Sequence, residues 1–167
     1  MGHRQGPQIP LSQFPPLNIV LHQPEIPQNT GNIGRTCVAL GAKLWLVRPL
    51  GFYLDQKSLR RAGLDYWAHL QLEVLDQWDD VPRRISDGRL WLFTKRATLL
   101  YTDVAYEPGD ALVFGSETTG LPRSLLDQYP HQLLRIPTGP QVRSLNLSNA
   151  VAVAAYEAAR QWGRRAK

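Results

Sequence analysis

Apolar residues along the chain fall into short runs separated by polar stretches rich in Gly and Pro, and the period of each run predicts its element. The first, Leu17-Asn18-Ile19-Val20-Leu21, is stopped by Pro24 and Pro27 and predicts a buried strand feeding a loop. Beyond it the period lengthens. Ile33, Cys37 and Leu40 lie at i, i+4 and i+7, with Asn29 and Thr30 as capping candidates and Gly41 as the terminating glycine, so a helix is expected. Leu44-Trp45-Leu46-Val47 reads as a second strand, Ser58 to His69 as a short helix broken near Gly63, and Leu72 to Leu75 as a third strand. Trp78 to Ser86 has amphipathic helical spacing and ends near Gly88. Leu90-Trp91-Leu92-Phe93 and Ala111-Leu112-Val113-Phe114 are apolar throughout, as strands buried on both faces are.

Ser124 to Tyr129 predicts a short helix stopped by Pro130, and Leu133-Leu134-Arg135-Ile136 a last strand before Pro137. Ala150, Val151, Ala154, Ala158 and Trp162 keep helical spacing to the end, with Asn146 or Ser148 available as N-cap. Strands alternating with helices predict an α/β fold with a mostly parallel sheet flanked by helices. Residues 1–16, with four Pro and no apolar period, are expected to be a flexible Pro-rich leader, and 17–167 one domain.

Composition narrows the function classes. The chain has 167 residues and one Cys, so a disulfide framework is excluded; its four His show no metal-ligand spacing, and no metal is expected. No apolar run approaches the roughly 18 residues of a membrane helix, so a cytoplasmic protein without membrane contact is the expectation. Net charge is +5, with Arg supplying most of the cations. Arg favours bidentate contact with phosphate, which makes a polyanion the first partner to consider.

Candidate chemistry sits in three loops that follow predicted strands, where open α/β sheets bind ligands. In the first, from Pro24 to Arg35, Gly31 and Gly34 permit close approach of a backbone or ligand, and Arg35 falls off the Ile33/Cys37/Leu40 face. The second, Val113 to Pro122, lacks the spacing of either a dinucleotide fingerprint or a P-loop. The third crowds Ser144, Asn146, Ser148 and Asn149 at the start of an Ala-rich helix, where one cap would suffice. Cys37, Trp45 and Trp91 read as core, and Glu117 as a structural carboxylate accepting backbone N–H bonds within its loop.

Taken in order, Pro27-x-Asn29-x-Gly31-x-x-x-Arg35, Phe114-Gly115-x-Glu117-x-x-Gly120-Leu121-Pro122, and Arg135-Ile136-Pro137 with Ser144-Leu145-Asn146-Leu147-Ser148-Asn149 resemble the three motifs of the SPOUT-class (trefoil-knot) RNA methyltransferases. Leu59-Arg60-Arg61-Ala62-Gly63-Leu64-Asp65-Tyr66 is similar to the small TrmL/YibK branch, which 2′-O-methylates the wobble nucleotide, cytidine or uridine, of leucine tRNAs. The resemblance spans Leu17 to Trp162. Ser116 departs from it where family members often carry Pro, and Thr138-Gly139 where a bulkier apolar pair is usual.

The resemblance implies a deep C-terminal trefoil knot and S-adenosylmethionine as cofactor, held by the backbones of Leu92, Gly115 and Ile136 with Ser144 and the Asn146 loop closing over it. On this reading a Val at Gly115 would block the adenosine pocket of a folded protein. Arg35 would serve the acceptor 2′-hydroxyl. An Arg with a pKa above about 12 releases its proton at great cost, so orientation of phosphate and stabilisation of developing charge suit it better. Arg60, Arg61, Arg96, Arg123 and Arg143, with Tyr66 or Trp67 for stacking, are candidates for tRNA contact. The resemblance also implies a homodimer whose subunits exchange RNA-binding residues. Two alternatives stay open: a 2′-O-methyltransferase of the same fold acting on another tRNA or rRNA nucleotide, and a catalytically silent RNA-binding homologue.

Overall fold

The structure, a computed structural model, describes residues 15–54 and 65–165. Six strands, β1 (Asn18–His22), β2 (Lys43–Val47), β3 (Leu72–Leu75), β4 (Leu90–Phe93), β5 (Ala111–Phe114) and β6 (Leu133–Leu134), form one sheet of order β3-β2-β1-β5-β4-β6. All five pairings are parallel. Helices α1 (Pro27–Leu40), α2 (Asp80–Arg84), α3 (Arg123–Leu126) and α4 (Leu147–Arg165) cover the sheet, together with a 3-10 turn at Asp65–His69. This is the α/β architecture expected.

Strand alternation sorts the core into two layers. Ile19, Leu21, Leu44, Leu46, Leu112 and Phe114 face α1 and α4, whose Ile33, Cys37, Val151, Ala154 and Ala158 complete that layer. Val20, Trp45, Val47, Leu92 and Val113 face the other way, against Val81, Leu125 and Leu126 of α2 and α3. Cys37, Trp45 and Trp91 are buried, as read. Burial pushes the Cys37 thiol up to about 12.

Several boundaries differ from expectation. Helix α1 begins at Pro27, whose fixed φ suits a first helical position, and no side-chain cap bond is made there, so Asn29 and Thr30 lie inside the helix rather than capping it. Gly41 closes α1 in the left-handed region at φ 65°. The last strand stops at Leu134 because the backbone of Arg135 turns to Leu99 and Tyr101 instead. The two middle helices are trimmed to α2 and α3. Of the helix expected over Ser58 to His69, residues 58–64 lie outside the described residues and the remainder is the 3-10 turn. The expected leader is likewise undescribed through residue 14; the Pro16 carbonyl accepts a bond from the Gly109 N–H.

At the amino end of the sheet Asp110, 1% exposed, accepts from the Arg89 backbone and guanidinium, the Trp91 indole and the Glu107 N–H. Five bonds to one carboxylate lock the entries to β4 and β5. The C-terminal helix is tied to the same region, with Trp162 Nε1 donating to the Tyr106 carbonyl and Gln161 bonding Val104 and Tyr106. The opposite end of the sheet is left to loops.

Candidate active site

Strand order brings together what the chain keeps apart. β1, β5 and β4 are neighbours, so the loops leaving their carboxyl ends emerge side by side, and the segment after β6 folds back over them. They enclose an open cleft of about 750 Å³, within the roughly 300–1,000 Å³ of small-molecule sites. All three loops singled out in the sequence contribute to its lining.

A side-chain relay binds the loops to one another. Glu117, in the loop after β5, accepts the N–H of Glu25 at 2.7 Å, that of Ile26 at 3.1 Å and the Asn29 amide at 3.0 Å. Asn29 in turn accepts the Asn146 amide at 3.0 Å. Asn146 stands just before α4, and its side-chain amide oxygen accepts the N–H and hydroxyl of Ser148. It is therefore both the N-cap of α4 and the link to α1, which accounts for part of the polar surplus there. Glu25 reciprocates across the loops, its carboxylate accepting the N–H and hydroxyl of Thr118. Glu117 thus accepts backbone N–H bonds as expected of it, though from the loop after β1 rather than from its own.

The cleft floor is apolar. Parallel register sets Phe93 beside Phe114, and the two rings stack with centroids 4.5 Å apart. Ile136, Leu145, Leu147 and Ala150 extend this surface, and Thr94, Lys95, Arg96, Thr118, Thr138, Arg143 and Ser144 supply polar rims. Its exposed cations, Lys95, Arg96 and Arg143, outnumber the one lining carboxylate, Glu117, whose oxygens are already engaged.

Of the residues expected around a cofactor, Gly115, Ile136, Ser144 and Asn146 line the cleft. Leu92 lies one residue behind Phe93, its side chain in the opposite core layer and its N–H donated to Gln132 of the β6 segment. The need for glycine at 115 differs from the expected one. A Cβ there would run into the backbone of Gly120 and Leu121, so a Val would break the loop rather than merely fill the pocket. That loop turns tightly on Gly120 at φ 70°, with the Ser116 carbonyl accepting the Gly120 N–H and the Ser116 hydroxyl bonded to that of Thr119. Ser116, the position at which the sequence departs from the expected motif, thus serves this turn with both its carbonyl and its hydroxyl.

Arg35 stands outside the cleft lining, exposed on α1, with its guanidinium carbon 4.8 Å from the centroid of the Tyr66 ring. Arg96 and Arg143 line the cleft, Arg123 pairs with Asp127, and Arg60 and Arg61 lie outside the described residues. Sequence reasoning missed Glu25 and the segment Phe93 to Lys95, naming only Arg96 from that loop, and for tRNA contact rather than for this cleft. The signal for the latter was available only from strand adjacency, which places the end of β4 beside that of β5. Among the described residues, no helix is long and apolar enough to cross a membrane, and no group of three or more His, Cys, Asp or Glu could hold a metal ion.

Comparison with known proteins adds to this geometry. The sequence model of the SpoU rRNA Methylase family matches residues 16–156. The chain is 50% identical over 149 residues to the tRNA (cytidine(34)-2′-O)-methyltransferase of Burkholderia pseudomallei, covering 87% of this chain and 96% of that protein. It is 46% identical over 145 residues to the enzyme of the same name from Methylovorus glucosotrophus, covering 86% and 94%. A solved structure concerned with the 2-OH methylation of C/U34 on tRNA superposes with a TM-score of 0.84 at 45% identity, over 90% of this chain and 99% of the other. The SpoU methyltransferase AviRb from Streptomyces viridochromogenes, solved in complex with the cofactor AdoMet, gives 0.74 at 26% identity over 89% and 58%.

Proposed function

Because the chain belongs to the SpoU rRNA methylase family, we propose that it transfers a methyl group from S-adenosylmethionine to the ribose 2′-hydroxyl of the wobble nucleotide, cytidine or uridine, of leucine tRNAs in the cytoplasm. The observation that supports this reading most is the relay Asn146–Asn29–Glu117, which joins three segments distant in the chain around one cleft.

The cleft fits such a cofactor on its own chemistry. Stacked Phe93 and Phe114 with Ile136 and Leu147 offer a surface for an adenine ring, and the rim cations Lys95, Arg96 and Arg143 suit a carboxylate or an RNA phosphate. Gly115, Ile136, Ser144 and the Asn146 loop would hold the cofactor, with the backbone beyond Leu92 at its edge. When bound, S-adenosylmethionine supplies an electrophilic methyl group on a sulfonium.

What remains for the protein is orientation and charge. Fixing a hydroxyl against an electrophile removes several kcal/mol of barrier, on the order of 7–11 in the best intramolecular cases. Arg35 orients the phosphate beside the acceptor ribose and stabilises the charge that develops on the oxygen. Glu117 holds loops rather than accepting the proton, since three N–H donors already occupy its carboxylate.

The working form is a homodimer. Val153 and Tyr156 are 39% and 53% exposed on the outer side of α4, with Val142 and Leu145 on the preceding loop, an apolar stripe suited to a second copy of the chain. Arg35 lies outside the cleft of its own chain and would be brought to the partner's.

The test is methylation of total tRNA with labelled cofactor followed by mapping of 2′-O-methyl sites. Modification at the wobble nucleotide of leucine tRNAs is expected. A methyl group at another nucleotide, or in rRNA, would replace this substrate, and cofactor-independent tRNA binding without transfer would reduce the protein to an RNA-binding module.

A further inference from the structure

The glycines of the first loop were expected to admit a backbone or a ligand, and at Gly34 what is admitted is the 3-10 turn with the residue after it. A Cβ on Gly34 would stand 2.9 Å from a Trp67 ring carbon and 3.1 Å from a Leu70 methyl. Through this close approach the Tyr66 hydroxyl donates to the Gly31 carbonyl at 2.7 Å, while its ring lies under the Arg35 guanidinium at 4.8 Å. In an α-helix the carbonyl of residue 31 is the acceptor for the N–H of residue 35. Tyr66 therefore grips the helical turn from which Arg35 projects and the charged end of Arg35 as well.

We propose that Tyr66 is a positioning residue for methyl transfer, confining the Arg35 guanidinium to one orientation before RNA arrives; this rests on the role given to Arg35 above. An exposed Arg samples many rotamers, and a ring within about 6 Å of its charge favours those stacked on it. Misplacement of a positioned group by about 1 Å can cost a hundredfold in rate, so restricting these rotamers bears on turnover. Tyr66 is thereby committed to α1 and Arg35 rather than to stacking on an RNA base. A contact that only held the turn in place would affect melting and leave turnover alone.

The experiment compares Tyr66→Phe, which keeps the ring, with Tyr66→Leu, which removes it. In the full-length protein without ligands, the ring-current shift of the Arg35 side-chain Nε–H resonance is expected to persist in the Phe variant and vanish in the Leu variant. In the tRNA methylation assay, kcat should fall by up to about fivefold in the Leu variant, with KM for tRNA and Kd for S-adenosylmethionine unchanged from wild type. The Phe variant should recover kcat to within about twofold. Unchanged kcat in Tyr66→Leu, or a loss matched by weaker cofactor binding and lower melting temperature, overturns the proposal. If Tyr66→Leu does not fold, Tyr66→Met, which also removes the ring, takes its place with the same expected outcomes. If the wild type transfers no methyl group, the role of Arg35 fails, and the resonance alone decides the proposal: a shift indifferent to loss of the ring overturns it.

Discussion

Replacing Glu117 by Gln tests whether one carboxylate holds the cleft together. Shape is preserved, but one oxygen becomes an NH₂ facing a donor, either the Glu25 N–H at 2.7 Å or the Ile26 N–H and Asn29 amide at 3.1 and 3.0 Å. A hydrogen bond to a charged acceptor contributes about 1.5–3 kcal/mol, and the surviving oxygen loses its charge assistance as well. Since water reaches part of this site, a total near 2–3 kcal/mol is the reasonable figure. For a domain of this size that lowers Tm by roughly 4–12 °C. Thermal unfolding followed by circular dichroism reads the stability, and calorimetry with S-adenosylmethionine reads the cleft, where at least a tenfold loss of affinity is expected. Asn29→Ala and the double variant should then be non-additive, as contacting residues are, by about 0.5–3 kcal/mol. A Tm within about 1 °C of wild type, with affinity intact, would refute the view that the relay shapes the cleft.

Three further outcomes follow from other parts of the molecule. Asp110→Ala strands the buried Trp91 indole and the Glu107 N–H and leaves Arg89 with only Glu107 and the Ala105 carbonyl as partners; with Arg89 half-exposed, a loss of about 3 kcal/mol is expected, or roughly 6–12 °C in Tm, and a smaller shift than half of that would show water substituting for the carboxylate. Burial holds the His22 imidazole below its usual 6.5 despite an opposing backbone hydrogen bond. The unfolded chain then takes up a proton near pH 6.5 that the native protein refuses, so stability is full above that pH and declines as pH falls toward the lower native value. Urea midpoints at pH 7.5 and 5.5 should therefore diverge less for His22→Gln than for wild type, and equal divergence would exclude His22 as the source. Cys37, the single cysteine of the chain, should resist thiol reagents in the native protein and react fully in denaturant, at a rate that reports unfolding; rapid native labelling would contradict its burial.

Legibility in the sequence followed the range of the forces involved. Strands β4 and β5 coincide with their apolar runs, because burial on both faces requires continuous apolar residues, and β1 and β2 lie within a residue of theirs; β3 keeps its expected bounds at the sheet edge, half-buried and carrying Glu73. Asn146 as N-cap and Gly41 as C-cap were likewise local matters. Asn29 was misread for the opposite reason. Its residue type suggests a cap, yet Pro27 starts the helix earlier, and the side chain goes to partners 88 and 117 positions away. No local pattern encodes that choice. The same holds for the short β6, where Arg135 pairs with the segment near Leu99 and not with β4. At Gly115 the residue was noticed and its reason was not, since the crowding comes from a backbone five positions on.

The bonds running between Glu25, Asn29, Glu117, Thr118 and Asn146 have a bearing on engineering. The segment holding Glu25 and Asn29 presents donors and acceptors cut to fit each of the other two, so grafting a single one from a distant relative to alter substrate preference would import half of a lock without its key. Chimeras that exchange the trio as a set should keep their shape, while those exchanging one should not.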